Sequence, residues 1–326
     1  MPEPPSLDQL LARLRDSEWR TRWRAAQDLG ELRDKRAFDS LVEALADPRI
    51  EVRLAATAAL VRVDAERAFD HLLDQLEHHD NYAAATALGW HGDRRATGPL
   101  VAKLSEVLSR GRSRTPEDVA MCMRGADSLG RLNDPAAVEV LVRLGQDHDS
   151  SLRREAARAL GDIGDPRALE SLMALLADSD IRVRSDAVRA LGKLGRPEAV
   201  EPLIRILREE TGDMACAAAE ALGDIGDARA LEPLVDHVHT ISDSTSRWFA
   251  AVALGKLRDP RALEQLLRAL RDQAVEVRCG AAEGLGLLGD ARALPDLETA
   301  ALRDEGEWEL GNVRDCAQQA IERIRS

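Results

Sequence analysis

Residues 164–195 read GDPRALESLMALLADSDIRVRSDAVRALGKLG, and this stretch decides the fold. Gly164-Asp165-Pro166 is a turn signal, with glycine closing one helix and proline opening the next. The spacing of Leu169, Leu172, Leu175 and Leu176 predicts a first helix over PRALESLMALLAD, beginning at Pro166. Asp178-Ser179-Asp180 interrupts it and offers N-cap side chains. A second helix follows over IRVRSDAVRALGKLG. Such a hairpin exposes an apolar face when alone, and only stacking on similar neighbours covers it.

The neighbours are present. WRAAQDLGEL, AAATALGWHGD, REAARALGDIGDPRAL, CAAAEALGDIGDARAL, FAAVALGKLRDPRAL and GAAEGLGLLGDARAL repeat the end of the second helix. The anchoring leucine falls at Leu29, Leu60, Leu88, Leu129, Leu160, Leu191, Leu222, Leu254 and Leu285, with Ile321 in a degenerate last copy. Most intervals are 31 residues. A fixed period of this size marks a stacked supersecondary unit, so the chain reads as an all-α solenoid of about ten helical hairpins. Residues 1–326 form a single array, with capping repeats over 1–36 and 292–326. The interval from Leu88 to Leu129 is longer than the rest and places an insertion over 105–118, between the two helices of repeat 4.

Composition agrees. The chain is 44% hydrophobic but 3% aromatic, so leucine, alanine and valine carry the apolar load, as close helix packing requires. A net charge of −13 disfavours nucleic acid and anionic membranes as partners. The four cysteines form no C-x-x-C pair, which argues against a zinc knuckle or a disulfide framework. MPEPPSLDQL lacks a basic, apolar leader, and no run of 18 apolar residues spans a membrane. A cytoplasmic location follows as the expectation.

The unit D-P-R-A-L-E-x-L-x-x-A-L…V-R-x-x-A-A-x-A-L-G-x-I-G, clearest over 165–177 and 183–195, resembles the HEAT-like repeats of the phycobiliprotein-lyase type. The resemblance covers nearly everything from Ser6 onward. It implies a right-handed superhelix whose second helices line the concave side. It says little about activity, because the family spans scaffolds and enzymes.

Variation between copies separates two kinds of position. In the second helix the constant set is the V-R start, the A-A pair and the A-L-G, which hold the stack. In repeat 1 the variable set is Arg20, Trp23, Arg24, Gln27 and Glu31, whose spacing makes one stripe. Of nine aromatics, Trp23, Tyr82, Trp90, Trp248 and Phe249 fall on such stripes. They either anchor a partner, giving large contact area at low entropy cost, or fill gaps between adjacent second helices. Trp248-Phe249 is the sharpest candidate, and Trp23, Tyr82 and Trp90 form a second, N-terminal group. The stripes of repeats 4 to 6 carry Arg124, Arg131, Arg154, Arg158, Arg182, Arg189 and Lys193, interleaved with Asp127, Glu155, Asp162 and Asp186. Repeats 7, 9 and 10 contribute Asp213, Glu220, Asp224, Glu276, Glu283 and Asp315. A basic middle beside an acidic C-terminal part favours a protein partner of bipolar charge, unless the wall merely bridges its own charges. Cys216, Cys279 and Cys316 also map to the stripe. Arg110-Gly111-Arg112-Ser113-Arg114 in the insertion is expected to protrude, either as a bland loop or as a partner contact.

Several activities can be tested against these positions. A deoxyhypusine hydroxylase would carry His-Glu pairs after V-R to hold two irons. No copy does; Arg154-Glu155 keeps only the glutamate, so that activity is rejected. A phycobilin-lyase-like role would cradle a chromophore's propionates with Arg154, Arg158 and Arg189. A HEAT-like DNA glycosylase needs a broadly basic concavity, which the charge opposes. His78, His79 and His91 lie near one another and could approach a metal, though surface or hinge roles fit these and His71, His148, His237 and His239 better. No phosphate-binding, dinucleotide or hydrolase motif appears. The sequence therefore points to a non-enzymatic scaffold without cofactor, holding a protein partner in its groove. A chromophore is the alternative occupant.

Overall fold

The computed structural model describes residues 5–78, 82–308 and 311–326, with the backbone alone at His78. Among these residues, twenty α-helices pair as ten hairpins, odd-numbered helices first and even-numbered second. The chain divides into two compact units, residues 1–163 and 164–326, of five hairpins each.

The first unit comprises α1 (Leu7–Arg13), α2 (Trp19–Leu32), α3 (Phe38–Ala44), α4 (Ile50–Val63), α5 (Ala65–His78), α6 (Tyr82–His91), α7 (Thr97–Ser109), α8 (Pro116–Leu132), α9 (Val138–Leu144) and α10 (Ser150–Ile163). The second comprises α11 (Leu169–Leu175), α12 (Ile181–Leu194), α13 (Val200–Glu209), α14 (Asp213–Ile225), α15 (Leu231–Thr240), α16 (Ser244–Lys256), α17 (Ala262–Ala269), α18 (Val275–Leu288), α19 (Leu294–Arg303) and α20 (Val313–Arg325). A two-residue hairpin, β1 (Glu307–Trp308) with β2 (Gly311–Asn312), interrupts the last repeat.

The first helices start later than periodicity predicts. Pro166–Ala168 is a 3-10 turn, and α11 begins at Leu169. The cause is local: Asp165 accepts the Arg167 backbone N–H at 2.9 Å, and the Arg167 guanidinium folds back onto the same carboxylate. The same pairing joins Asp34 to Arg36, Asp93 to Arg95, Asp227 to Arg229 and Asp290 to Arg292. It recurs because a cap contributes roughly 1 kcal/mol, while the exposed ion pair adds little.

The constant positions are packing positions. Ala187, Ala190, Leu191 and Gly192 of α12 are buried, as is the residue at the Leu191 position of every other second helix. The glycine of A-L-G is where helix backbones meet: a methyl group on Gly192 would lie 2.8 Å from Cα of Ala221. Gly223 meets Ala253, and Gly286 meets Ala320, at the same distance.

The arginine of V-R has a double role. Arg22 donates to the carbonyls of Asp16 and Ser17 in its own turn, at 2.9 and 3.0 Å. It also pairs at 2.6 Å with Asp47 of the next turn, which in turn caps Arg49. Arg278 repeats this with the Asp272 and Gln273 carbonyls and with Asp304, and Arg247 pairs with Asp272. Each such rung fixes one turn and docks it to its neighbour.

Repeat 4 builds its rung differently. Cys122 stands where the arginine belongs and is buried, and burial pushes its thiol up to about 11. Arg114, from the insertion, reaches the vacant place and pairs with Asp147 at 2.6 Å. Arg110 pairs with Asp118 and Glu106. The basic segment is exposed at Gly111, Arg112 and Ser113, but it closes as a 3-10 turn and two of its three arginines are tied down.

Candidate interaction surface

In the first unit the stripe residues are spread apart. Trp23 is half-buried and Arg24 exposed on α2; Tyr82 is half-buried at the start of α6. Trp90, at its end, is 54% exposed. α4 packs on both α2 and α6 and so separates Trp23 from Tyr82 by two helix spacings of about 8–10 Å. Tyr82 and Trp90 stand roughly 12 Å apart along one helix. Among the described residues no ring contact joins the three, so they are not one aromatic group. Arg124 on α8 and Arg158 on α10 are exposed, Arg154 is half-buried, and Arg158 pairs with Glu155 at 3.1 Å.

The second unit does bring its residues together. Trp248 and Phe249 of α16 meet edge-to-face with centroids 4.7 Å apart. Trp308 of β1 closes on Trp248 at 6.0 Å. All three are half-buried. Such tilted contacts are the geometry aromatic quadrupoles prefer. Trp248 lies over Gly280 of α18, where a methyl group would come within 2.7 Å of its ring. Trp248 therefore packs on α18 while part of its surface stays exposed.

Carboxylates lie on the neighbouring second helices α14, α18 and α20. Glu276 and Glu283 share a face of α18 with Cys279 and Gly280. Glu283 and Asp315, the latter on α20, act electrostatically on the Cys316 thiol, which places both near it. Glu220 lies on α14, half-buried. Among the described residues, none of Glu220, Glu276, Glu283 and Asp315 has a lysine or arginine within ion-pairing distance. Asp224, by contrast, pairs with Lys256 at 2.7 Å. On α12, Arg189 is held by Ser185 at 2.9 Å and by Asp186 at 3.8 Å.

Trp308 was missed in the sequence because DEGEWELGN reads as a polar cap. Its strongest signal was a lone tryptophan among acidic loop residues. Two stripe assignments need correction. Cys216 and Cys279 are buried, because small side chains occupy the seams between second helices; only Cys316 is half-exposed. His237 is also no surface residue: it is buried, its Nε2 is paired with the Ser246 hydroxyl, and burial pulls its pKa below 6.5. His91 packs on Phe69 and reaches the Ala65 carbonyl at 3.0 Å. The side chain of His78, and His79, lie outside the described residues. Among those described, no three potential metal ligands converge. Nor is any helix long and apolar enough to cross a membrane.

A HEAT repeat model matches residues 7–89, 114–191, 172–247 and 241–320. The chain belongs to the HEAT repeat family. Among solved structures, importin beta is similar with a TM-score of 0.66 and 15% identity, over 98% of this chain and 52% of that one. The karyopherin Kap121p, bound to the extreme C-terminus of the protein phosphatase Cdc14p, is similar with a TM-score of 0.56 and 13% identity, over 99% and 42%. This HEAT chain thus spans about half the length of importin beta and less of Kap121p. The CpcE–CpcF complex of phycocyanin lyase from Nostoc sp. PCC7120 has 23% identity over 88% and 96%, with a TM-score of 0.40. At these identities the likeness to importin beta and Kap121p is one of fold. No curated protein matches in sequence.

Proposed function

We propose that this HEAT protein is a non-enzymatic, cytoplasmic scaffold whose second-helix face forms a concave groove for a protein partner. One observation carries the reading: Trp248, Phe249 and Trp308 form a half-exposed cluster beside carboxylates with no cationic partner among the described residues. Aromatic anchors supply contact area, and unpaired charge supplies orientation. The matching ligand is a segment of a protein that offers apolar and basic side chains together. The terminal hairpins, 1–36 and 292–326, act as caps in this reading. The 31-residue unit supports a place among phycobiliprotein-lyase-type repeats. A bilin-handling role has no observation of its own, since Arg158 and Arg189 are engaged on their own helices.

Affinity capture from the host at native expression tests the scaffold. A protein partner should be recovered with the parent chain and lost with a Trp248→Ala, Phe249→Ala double variant of unchanged helicity. Capture of no partner, or equal capture by the folded double variant, overturns the reading.

A further inference from the structure

We propose that Cys279 and Cys316 form a thiol–disulfide site: a small-molecule disulfide converts them to an intramolecular disulfide that ties the last hairpin to the one before it. This goes beyond the scaffold reading and does not depend on it.

The two cysteines project from α18 and α20, second helices that pack directly on each other. The seam between them is tight: a methyl group on Gly286 of α18 would lie 2.8 Å from Cα of Ala320 of α20, two turns beyond Cys279 and one beyond Cys316, and each thiol shifts the other's titration. Their exposure differs. Cys279 is fully buried, whereas Cys316 is half-exposed. That asymmetry sets the order of chemistry, because only Cys316 can meet an external reagent. The hydrogen bond from Cys279 favours the Cys316 thiolate, against burial and the charges of Glu283 and Asp315. The same interaction, with burial, pushes the Cys279 thiol well up. Cys316 is thus the nucleophile and Cys279 the resolving thiol.

The balance is that of two exchanges. The Cys316 thiolate attacks one sulfur of an external disulfide such as oxidised glutathione. The S–S bond breaks, and a glutathione thiolate leaves and takes up the proton that Cys316 lost. Cys279 then gives up its proton and attacks the Cys316 sulfur of the mixed disulfide. A second glutathione thiolate leaves and is protonated. Two protein thiols are oxidised and one glutathione disulfide is reduced to two thiols. The new bond needs the sulfurs to close to about 2.05 Å across this directly packed seam. Cys122 and Cys216 are each buried and belong to different units, so neither competes.

The test incubates the full reduced chain with oxidised glutathione and follows free thiols and intact mass. Free thiols should fall from four to two, with loss of two hydrogens and no retained glutathione. Peptide mapping should join Cys279 to Cys316. Cys279→Ser should instead accumulate a stable glutathione adduct on Cys316, and Cys316→Ser should form none on Cys279. A parent chain that keeps four thiols or retains the adduct overturns the assignment. So does a bond mapped elsewhere, or a folded Cys279→Ser chain left unmodified.

Discussion

Gly255→Ala isolates what the glycine of A-L-G does. Gly255 lies on α16 against α18, where a methyl group would come 2.1 Å from the Gly284 carbonyl oxygen and 2.5 Å from its Cα. Ordinary carbon contacts need about 3.5 Å. The obstacle is backbone held within α18, so it cannot rotate aside, and the helices must part by roughly 1 Å. Overpacking of this kind costs about 1–3 kcal/mol, with this site at the upper end. Alanine returns about 1 kcal/mol through helix propensity. The net loss is therefore about 1–2 kcal/mol, or roughly 2–8 °C in Tm for a unit of this size. The same exchange at Gly98, exposed in α7 with nothing within 4 Å, should leave stability unchanged or raise it. Urea melts read by far-ultraviolet circular dichroism give both midpoints. Tryptophan emission reports separately on the α16–α18 seam through Trp248. If Gly255→Ala is as stable as the parent, the close helix approach does not exist and the packing role of this glycine fails.

Other outcomes follow from single contacts. Arg114→Met should cost about 3 kcal/mol by leaving Asp147 without its buried partner, and adding Cys122→Arg should restore part of the loss. If urea midpoints show no rescue, the insertion does not stand in for the missing arginine. The hydrogen bond from Arg278 holds Asp304 below the usual carboxylate range, so its contribution is complete at neutral pH and is lost as the pH falls below about 4. Asp304→Asn should cost about 1–3 kcal/mol at pH 7 and flatten that acid limb in melts taken at stepped pH. His237 behaves likewise at higher pH. Burial lowers its pKa, Asp243 opposes this and Arg247 adds to it, so stability is complete above 6.5 and declines below it. His237→Gln should remove that slope; an unchanged slope would assign it to another group.

The period, the two-helix unit and the separation of packing from variable positions were legible because each copy repeats the same physical demand. Leu191 and Gly192 announce a seam whichever copy is read. The 3-10 start at Pro166 was hidden, since leucine spacing marks a face and not the first hydrogen bond. Arg114 was hidden for another reason: its role is set by the absence of arginine at Cys122, eight residues away, and by Asp147 in the next repeat. Trp248 and Phe249 were visible as stripe residues. Trp308, which completes the cluster, sits in a segment that obeys no repeat, so no register could place it. The N-terminal aromatics show the converse error, for equal stripe positions two helices apart do not touch.

The arginine–aspartate rungs also divide the second unit energetically. α16 is tied forward through Arg247 and Asp272, and α18 through Arg278 and Asp304. Behind them the rung lapses on both sides at once: α14 has Ala215 at the arginine position, and the following turn has Ile241 at the aspartate position. Turn capping and neighbour docking are then coupled over the last three hairpins but uncoupled before them. In a one-dimensional array, such a lapse lowers the interfacial term and sets the edge of a cooperative block. Amides of α12 and α14 should therefore exchange through a smaller opening than those of α16, α18 and α20. The aromatic cluster then sits on the block of the second unit least prone to open, as the proposed recognition role requires.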